Sequence, residues 1–130
     1  MTLTLDRPFN GAVEDVIAAL AEEGFGVISR IDLDKAFAEK LGEAFHRYTI
    51  LGACNPKLAF QAVNARPDVG LLLPCNVTVE EVETGSIVRI VDAGQMMDMG
   101  DLSKTPEISE LATDAGDRLS RVASRLQQER

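Results

Sequence analysis

Tryptophan is absent, and the chain has only two cysteines, one histidine and one tyrosine in 130 residues. Two cysteines do not make a disulfide framework, so reduced thiols are expected, with a reversible Cys54–Cys75 bond as the alternative. One histidine, His46, cannot build a zinc site alone, because such sites want four ligands. Basic residues are also scarce: 13 Lys and Arg face 21 Asp and Glu, for a net charge of −8. That balance argues against binding a nucleic-acid backbone, whose phosphates need Lys and Arg. It argues equally against an anionic membrane surface. No apolar run approaches the roughly 20 residues of a membrane helix. The opening Met1-Thr2-Leu3-Thr4-Leu5-Asp6 lacks the basic start and apolar centre of a signal peptide. A cytoplasmic location is the expectation.

What is present is ordinary for one globular domain spanning 1–130. Hydrophobic residues make up 45% and charged residues 26%. No linker, repeat or charge block divides the chain. Leu3 and Leu5 alternate with polar residues in a short first strand. Asn10 has the chemistry of a helix N-cap. Val13, Val16, Ile17 and Leu20 follow at helical spacing, and Gly24 supplies the stop. Phe25 to Ile31 reads as a second strand. Asp32 heads a short helix with Leu33, Phe37 and Leu41 on one face, ended by Gly42.

Tyr48 to Cys54 is a nearly all-apolar third strand. Asn55 and Pro56 then open a third helix, Asn as cap and Pro at the first helical position. Ala59, Ala62 and Val63 give it a small-residue face suited to close packing on a sheet. Pro67 ends it. Val69 to Glu81 reads as a long fourth strand, with Leu71, Leu73, Cys75, Val77 and Val79 on one face. Pro74 lacks a ladder donor and so implies an edge or a bulge. Thr84-Gly85 turns the chain into a fifth strand, Ser86 to Asp92. A loop carrying Met96, Met97 and Met99 leads to Thr105-Pro106 and a last helix. Its seam is Ile108, Leu111, Ala115, Leu119, Val122 and Leu126. The order β-α-β-α-β-α-β-β-α predicts an α+β fold: a two-layer sandwich, with helices packed mainly on one face of a mixed five-stranded sheet.

Two mirrored tripeptides carry the chemistry, Cys54-Asn55-Pro56 and Pro74-Cys75-Asn76. Cys54 ends a strand just before a helix, whose free N–H groups and dipole favour a thiolate. The bland alternative is a small buried hydrophobe. Cys75 shares the apolar face of its strand and reads as core. A bulge at Pro74 would turn it toward Cys54. Asn55 is explained by capping. Asn76 is not, because Asn is disfavoured in strands, and it is a candidate for binding a loop, a partner subunit or a ligand. Met96, Met97 and Met99 offer soft thioethers to a metal such as Cu(I), or simply fill gaps in a core or an interface. No metal or cofactor is assigned. Phosphate-loop, dinucleotide, Ser–His–Asp and metalloprotease patterns are missing.

The stretch Arg47-Tyr48-Thr49-Ile50-Leu51-Gly52-Ala53-Cys54-Asn55-Pro56 resembles the signature of the DUF302 family, also called TT1751-like proteins. So do Gly70-Leu71-Leu72-Leu73-Pro74-Cys75-Asn76-Val77, Glu23-Gly24-Phe25-Gly26-Val27 and Ile31-Asp32. The likeness runs from about Asn10 to Leu126. Where relatives often read Asp-Pro, this chain has Asp92-Ala93. The resemblance implies a two-layer α+β fold and commonly a homodimer. It implies no established activity.

The reading is a homodimeric binding module. Its site is lined by Cys54, Asn55, Pro56, Pro74, Cys75 and Asn76 and takes a small anionic or thiol-bearing ligand. The alternative is a thiol-dependent redox enzyme or sulfur carrier, with Cys54 as nucleophile and Cys75 as resolving thiol. A purely structural role for both motifs is the third.

Overall fold

The computed structural model describes residues 1–128. Its strands are β1 (Thr2–Leu5), β2 (Gly26–Asp32), β3 (Tyr48–Cys54), β4 (Cys75–Val82) and β5 (Gly85–Ile90). Its helices are α1 (Phe9–Glu22), α2 (Leu33–Leu41), α3 (Pro56–Ala65), α4 (Ala93–Met97) and α5 (Pro106–Gln128). Short 3-10 turns cover Pro67–Leu72 and Leu102–Lys104.

The strands form one sheet in the order β1-β5-β4-β3-β2. Strands β2 to β5 are sequential neighbours, with α2 and α3 inserted into their connections. Helix α1 carries the chain from one edge strand, β1, to the other, β2. The expected two-layer α+β sandwich is present, but the sheet is antiparallel throughout rather than mixed. Parallel neighbours require a crossover between adjacent strands. The one full crossover here joins the two edges, which do not pair.

Alternation sets which side chains go inside. Cross-strand partners Leu51 and Val77, and Ala53 and Cys75, share the covered face. Partners Ile50 and Thr78, and Gly52 and Asn76, share the open one. The covered face meets Val13, Val16 and Leu20 of α1 and Leu119, Val122 and Leu126 of α5, all buried. A second, smaller cluster lies beyond the sheet: Ala62, Val69, Met97, Leu102, Ile108 and Ala112. The seam of α5 therefore serves both clusters within its own chain.

Several local expectations hold. Gly24 and Gly42 take left-handed conformations (φ 85° and 67°) that stop α1 and α2. The Asn55 side chain accepts the Leu58 N–H at 3.2 Å, with Pro56 at the first helical position. Others differ. Helix α1 starts at Phe9 behind Pro8, and Asn10 accepts from Arg47 Nη1 instead of capping. Asp32 precedes α2 but spends its carboxylate on Thr49 Oγ1 and Arg30 Nε. No residue of α2 is buried. Of the small-residue face of α3, Ala62 is buried in the cluster shared with α5 rather than on the sheet, and Val63 is exposed. The hydroxyl of Thr105 accepts from Arg66.

The largest difference concerns β4. It starts at Cys75, not Val69, because it lies between β3 and β5, where proline has no place in the ladder. Residues Pro67–Leu72 coil into a 3-10 turn, and a cis Leu73–Pro74 peptide leads into the strand. Leu71 is consequently 88% exposed instead of sharing a face with Cys75. Pro74 precedes the strand rather than bulging it. The two-residue loop Glu83-Thr84 closes the hairpin, since Val82 faces Gly85. The methionine segment forms α4, with the Asp92 carboxylate accepting the Gln95 N–H at 3.0 Å.

Candidate functional site

Cys54 is the last residue of β3 and Cys75 the first of β4. The two strands pair, and Ala53 stands opposite Cys75, so the thiols belong to one end of the sheet. Both are free, Cys54 half-buried and Cys75 buried. Burial, and then the neighbouring Cys54, push the Cys75 thiol above its ordinary value. A resolving thiol needs the opposite, an accessible sulfur that readily ionises.

A cavity of about 50 Å³ opens where the sheet end meets α3, α4 and α5. Cys54, Asn55, Pro74 and Cys75 line it together with residues from distant segments, among them Phe25, Ala62, Val69, Met97 and Ile108. It sits at the junction of the two buried clusters. One water needs roughly 10–15 Å³ of such space, so a group of a few heavy atoms fits. Asn55 is the one hydrogen-bonding side chain in an otherwise apolar and sulfur lining. Its oxygen is committed to the α3 cap, which fixes the carboxamide and leaves Nδ2 as the available donor.

The remaining expected site residues lie elsewhere. Pro56 is exposed at the start of α3, outside the lining. Asn76 is exposed on the open face of the sheet, opposite Gly52, and its backbone oxygen accepts the Val91 N–H at 3.2 Å. His46 sits at the other end of the β3–β4 ladder, 2.6 Å from Glu80 Oε2. Arg89 and then His46 hold the Glu80 carboxyl below the usual range. The thiols and His46 therefore do not converge. Of the methionines, Met97 lines the cavity, Met96 is half-buried between the clusters, and Met99 is 61% exposed.

Two supporting features escaped the sequence reading. Gly52 has no room for a side chain: a Cβ there would collide with Ser29 Oγ and come within 2.7 Å of Pro74 Cγ. A glycine inside an otherwise apolar strand is the signal that close approach was needed. The second is Glu23, nearly buried just beyond α1. Its carboxylate takes Arg121 Nε at 2.8 Å and Arg125 Nη2 at 3.2 Å, and Arg118 donates to its backbone oxygen. These bonds tie α5 to the turn at Gly24, beside Asn55. Arg121 first, and Arg125 after it, lower the Glu23 pKa against the opposing effect of burial. No local pattern announces a contact across 98 positions.

Comparison with known proteins agrees with this architecture. No helix among the described residues is long and apolar enough to cross a membrane. No curated protein matches the chain. A solved relative, the crystal structure of an uncharacterized conserved DUF302 protein from Bacillus stearothermophilus, superposes with a TM-score of 0.85 at 27% identity. The match covers 97% of this chain and 96% of that one. Residues 1–126 also match the family model described as a domain of unknown function, DUF302. The chain belongs to the DUF302 family.

Proposed function

We propose that the protein is a homodimeric small-ligand-binding module of the cytoplasm. Its site is the cavity at the end of β3 and β4. The observation that carries this reading is the cavity itself, which lies between four of the six motif residues and counts the half-buried Cys54 in its lining. No Lys, Arg or His lines it. An anionic group would therefore enter an apolar space without a counter-charge, at considerable cost. Between the two ligand classes expected, the lining favours a neutral, thiol-bearing molecule with a small apolar body.

Dimerisation draws support from the surface of the β2–α2 excursion. Ile28, Ile31, Leu41 and Phe45 are large apolar residues 47–68% exposed there. Such clustering marks a contact surface more often than chance. Sedimentation equilibrium gives the state directly.

The rival role as a thiol enzyme or sulfur carrier rests on Cys54, which is half-buried and stands just before the N-cap of α3. Cys75 is too buried to resolve an adduct readily, so that role would be a one-cysteine chemistry.

Titration of the labelled protein with 1-propanethiol and, separately, propionate tests the site by NMR. Saturable shifts at Ala59, Ala62 and Met97 with the thiol alone are expected. Absence of saturable shifts with both compounds would remove the binding reading.

A further inference from the structure

Cys54 has open space beside it as well as a cavity at its strand end. Its cross-strand partner in β2 is Gly26, and a Cβ built there would meet nothing within 4 Å. Directly opposed side chains stand only about 4.5–5.5 Å apart, so the missing one leaves the half-buried thiol approachable. Gly52 lies two residues earlier on the same face, and there Ser29 and Pro74 fill the gap. At Gly26 nothing does. Asn55, the residue after Cys54, is 9% exposed and also lines the cavity. Its Oδ1 is turned to the Leu58 N–H, while Nδ2 faces the turn at Gly24, next to Phe25 of the lining. Among the described residues nothing accepts a hydrogen bond from Nδ2. A buried donor without a partner is costly, so this position calls for an acceptor.

We propose that Cys54 carries a small neutral thiol as a mixed disulfide, with the short apolar body of the adduct in the cavity and its carbonyl oxygen on Asn55 Nδ2.

The reaction is a thiol–disulfide exchange. The Cys54 thiolate attacks one sulfur of a small disulfide, RSSR. A Cys54–S–S–R bond forms and the original S–S bond breaks. The leaving RS⁻ takes up the proton that Cys54 gave to solvent. The small disulfide is the oxidant, and one RSH is released for each adduct formed. Cys75 is badly placed to reverse the step. Ala53, not Cys54, shares its face of the sheet, and Cys75 is buried. The adduct therefore persists until an external thiol removes it. A charged thiol would enter a lining that has no Lys, Arg, His, Asp or Glu, at considerable cost.

Such an adduct presupposes the cavity as a ligand site, and the experiment separates the two. The reduced full-length protein is treated with N,N′-diacetylcystamine, whose thiol half has an amide carbonyl and no charge. The product is followed by intact-protein mass spectrometry and peptide mapping. One adduct per chain is expected, on Cys54 and removable by dithiothreitol, formed at a rate that saturates as the reagent is raised. Ala62→Leu fills the cavity and should abolish the saturation. Asn55→Ser keeps a capping oxygen but has no N–H to donate. It should raise the half-saturating concentration about threefold to tenfold. A retained melting transition shows that each variant is folded. A rate in the parent chain that stays linear in reagent would overturn the proposal. So would an adduct on Cys75, or parental kinetics in either folded variant. Saturable 1-propanethiol shifts without an adduct on Cys54 would sink the proposal alone and leave the cavity a ligand site.

Discussion

The two buried clusters share α5 but are built differently. The larger one lies between a sheet face and two long helices. The covered face of the sheet supplies Leu51, Val77 and Val79, and α1 and the second half of α5 lie over it. The smaller one has no sheet beneath it. It is assembled from α3, α4, two 3-10 turns and the first half of α5. Four short elements and half of α5 interdigitate less regularly than a sheet under two long helices, and the cavity opens where the clusters meet. Stability therefore belongs mainly to the first region, and the site belongs to the edge of the second.

The strongest way to break this comparison is to make matched cavities in both clusters. Val122 is fully buried against the sheet, and Val122→Ala should cost about 2–3 kcal/mol in urea unfolding, the transfer value for two methylenes plus the cavity left behind. Val69 is equally buried but already borders open space. Val69→Ala should cost only about 1–2 kcal/mol, near the transfer value for two methylenes. Equal losses at the two positions would show that the smaller cluster is as tightly packed as the larger.

Gly52 probes the seam between sheet and site. Gly52→Ala should cost about 1–3 kcal/mol, as overpacking does. Ser29→Ala in the same chain should restore part of it, because Ser29 Oγ is the first atom a Cβ would meet. No rescue in the double variant would mean that the contact with Pro74 dominates.

A smaller effect is expected at Glu23, which fastens α5 over the larger cluster. Its pKa is lowered in the folded state, so its contribution is complete above the ordinary carboxylate value and is lost as pH falls through the folded one. Both arginine partners are about half exposed, and solvent screens them. Glu23→Gln should cost roughly 1 kcal/mol at neutral pH and flatten the loss of stability below about pH 4. An acid unfolding profile identical to the parent's would place the acid sensitivity elsewhere, at Glu80 or Asp32.

How much of this was legible in the sequence follows the same division. The elements of the larger cluster declare themselves by period: Leu51, Val77 and Val79 alternate, and Leu119, Val122 and Leu126 repeat at helical spacing. Asn55-Pro56 announces the start of α3 because capping is a local interaction. The smaller cluster is less readable. Val69 to Leu73 is an apolar run that fits a strand, and only the central position of β4 makes Pro74 exclude it. The sequence neighbours of Asn76 point it toward the site. Alternation sends it to the opposite face from Cys75. That β1 pairs with β5, and that Glu23 meets Arg121, are long-range outcomes without a local signature.

The most direct test of the account is alkylation of the reduced native protein with iodoacetamide, followed by mass spectrometry over a range of pH. Cys54 should label in the folded chain, while Cys75 should label only once the chain unfolds, since burial both covers it and raises its pKa. Labelling of Cys75 at a rate equal to or above that of Cys54 in the native state would contradict the site described here.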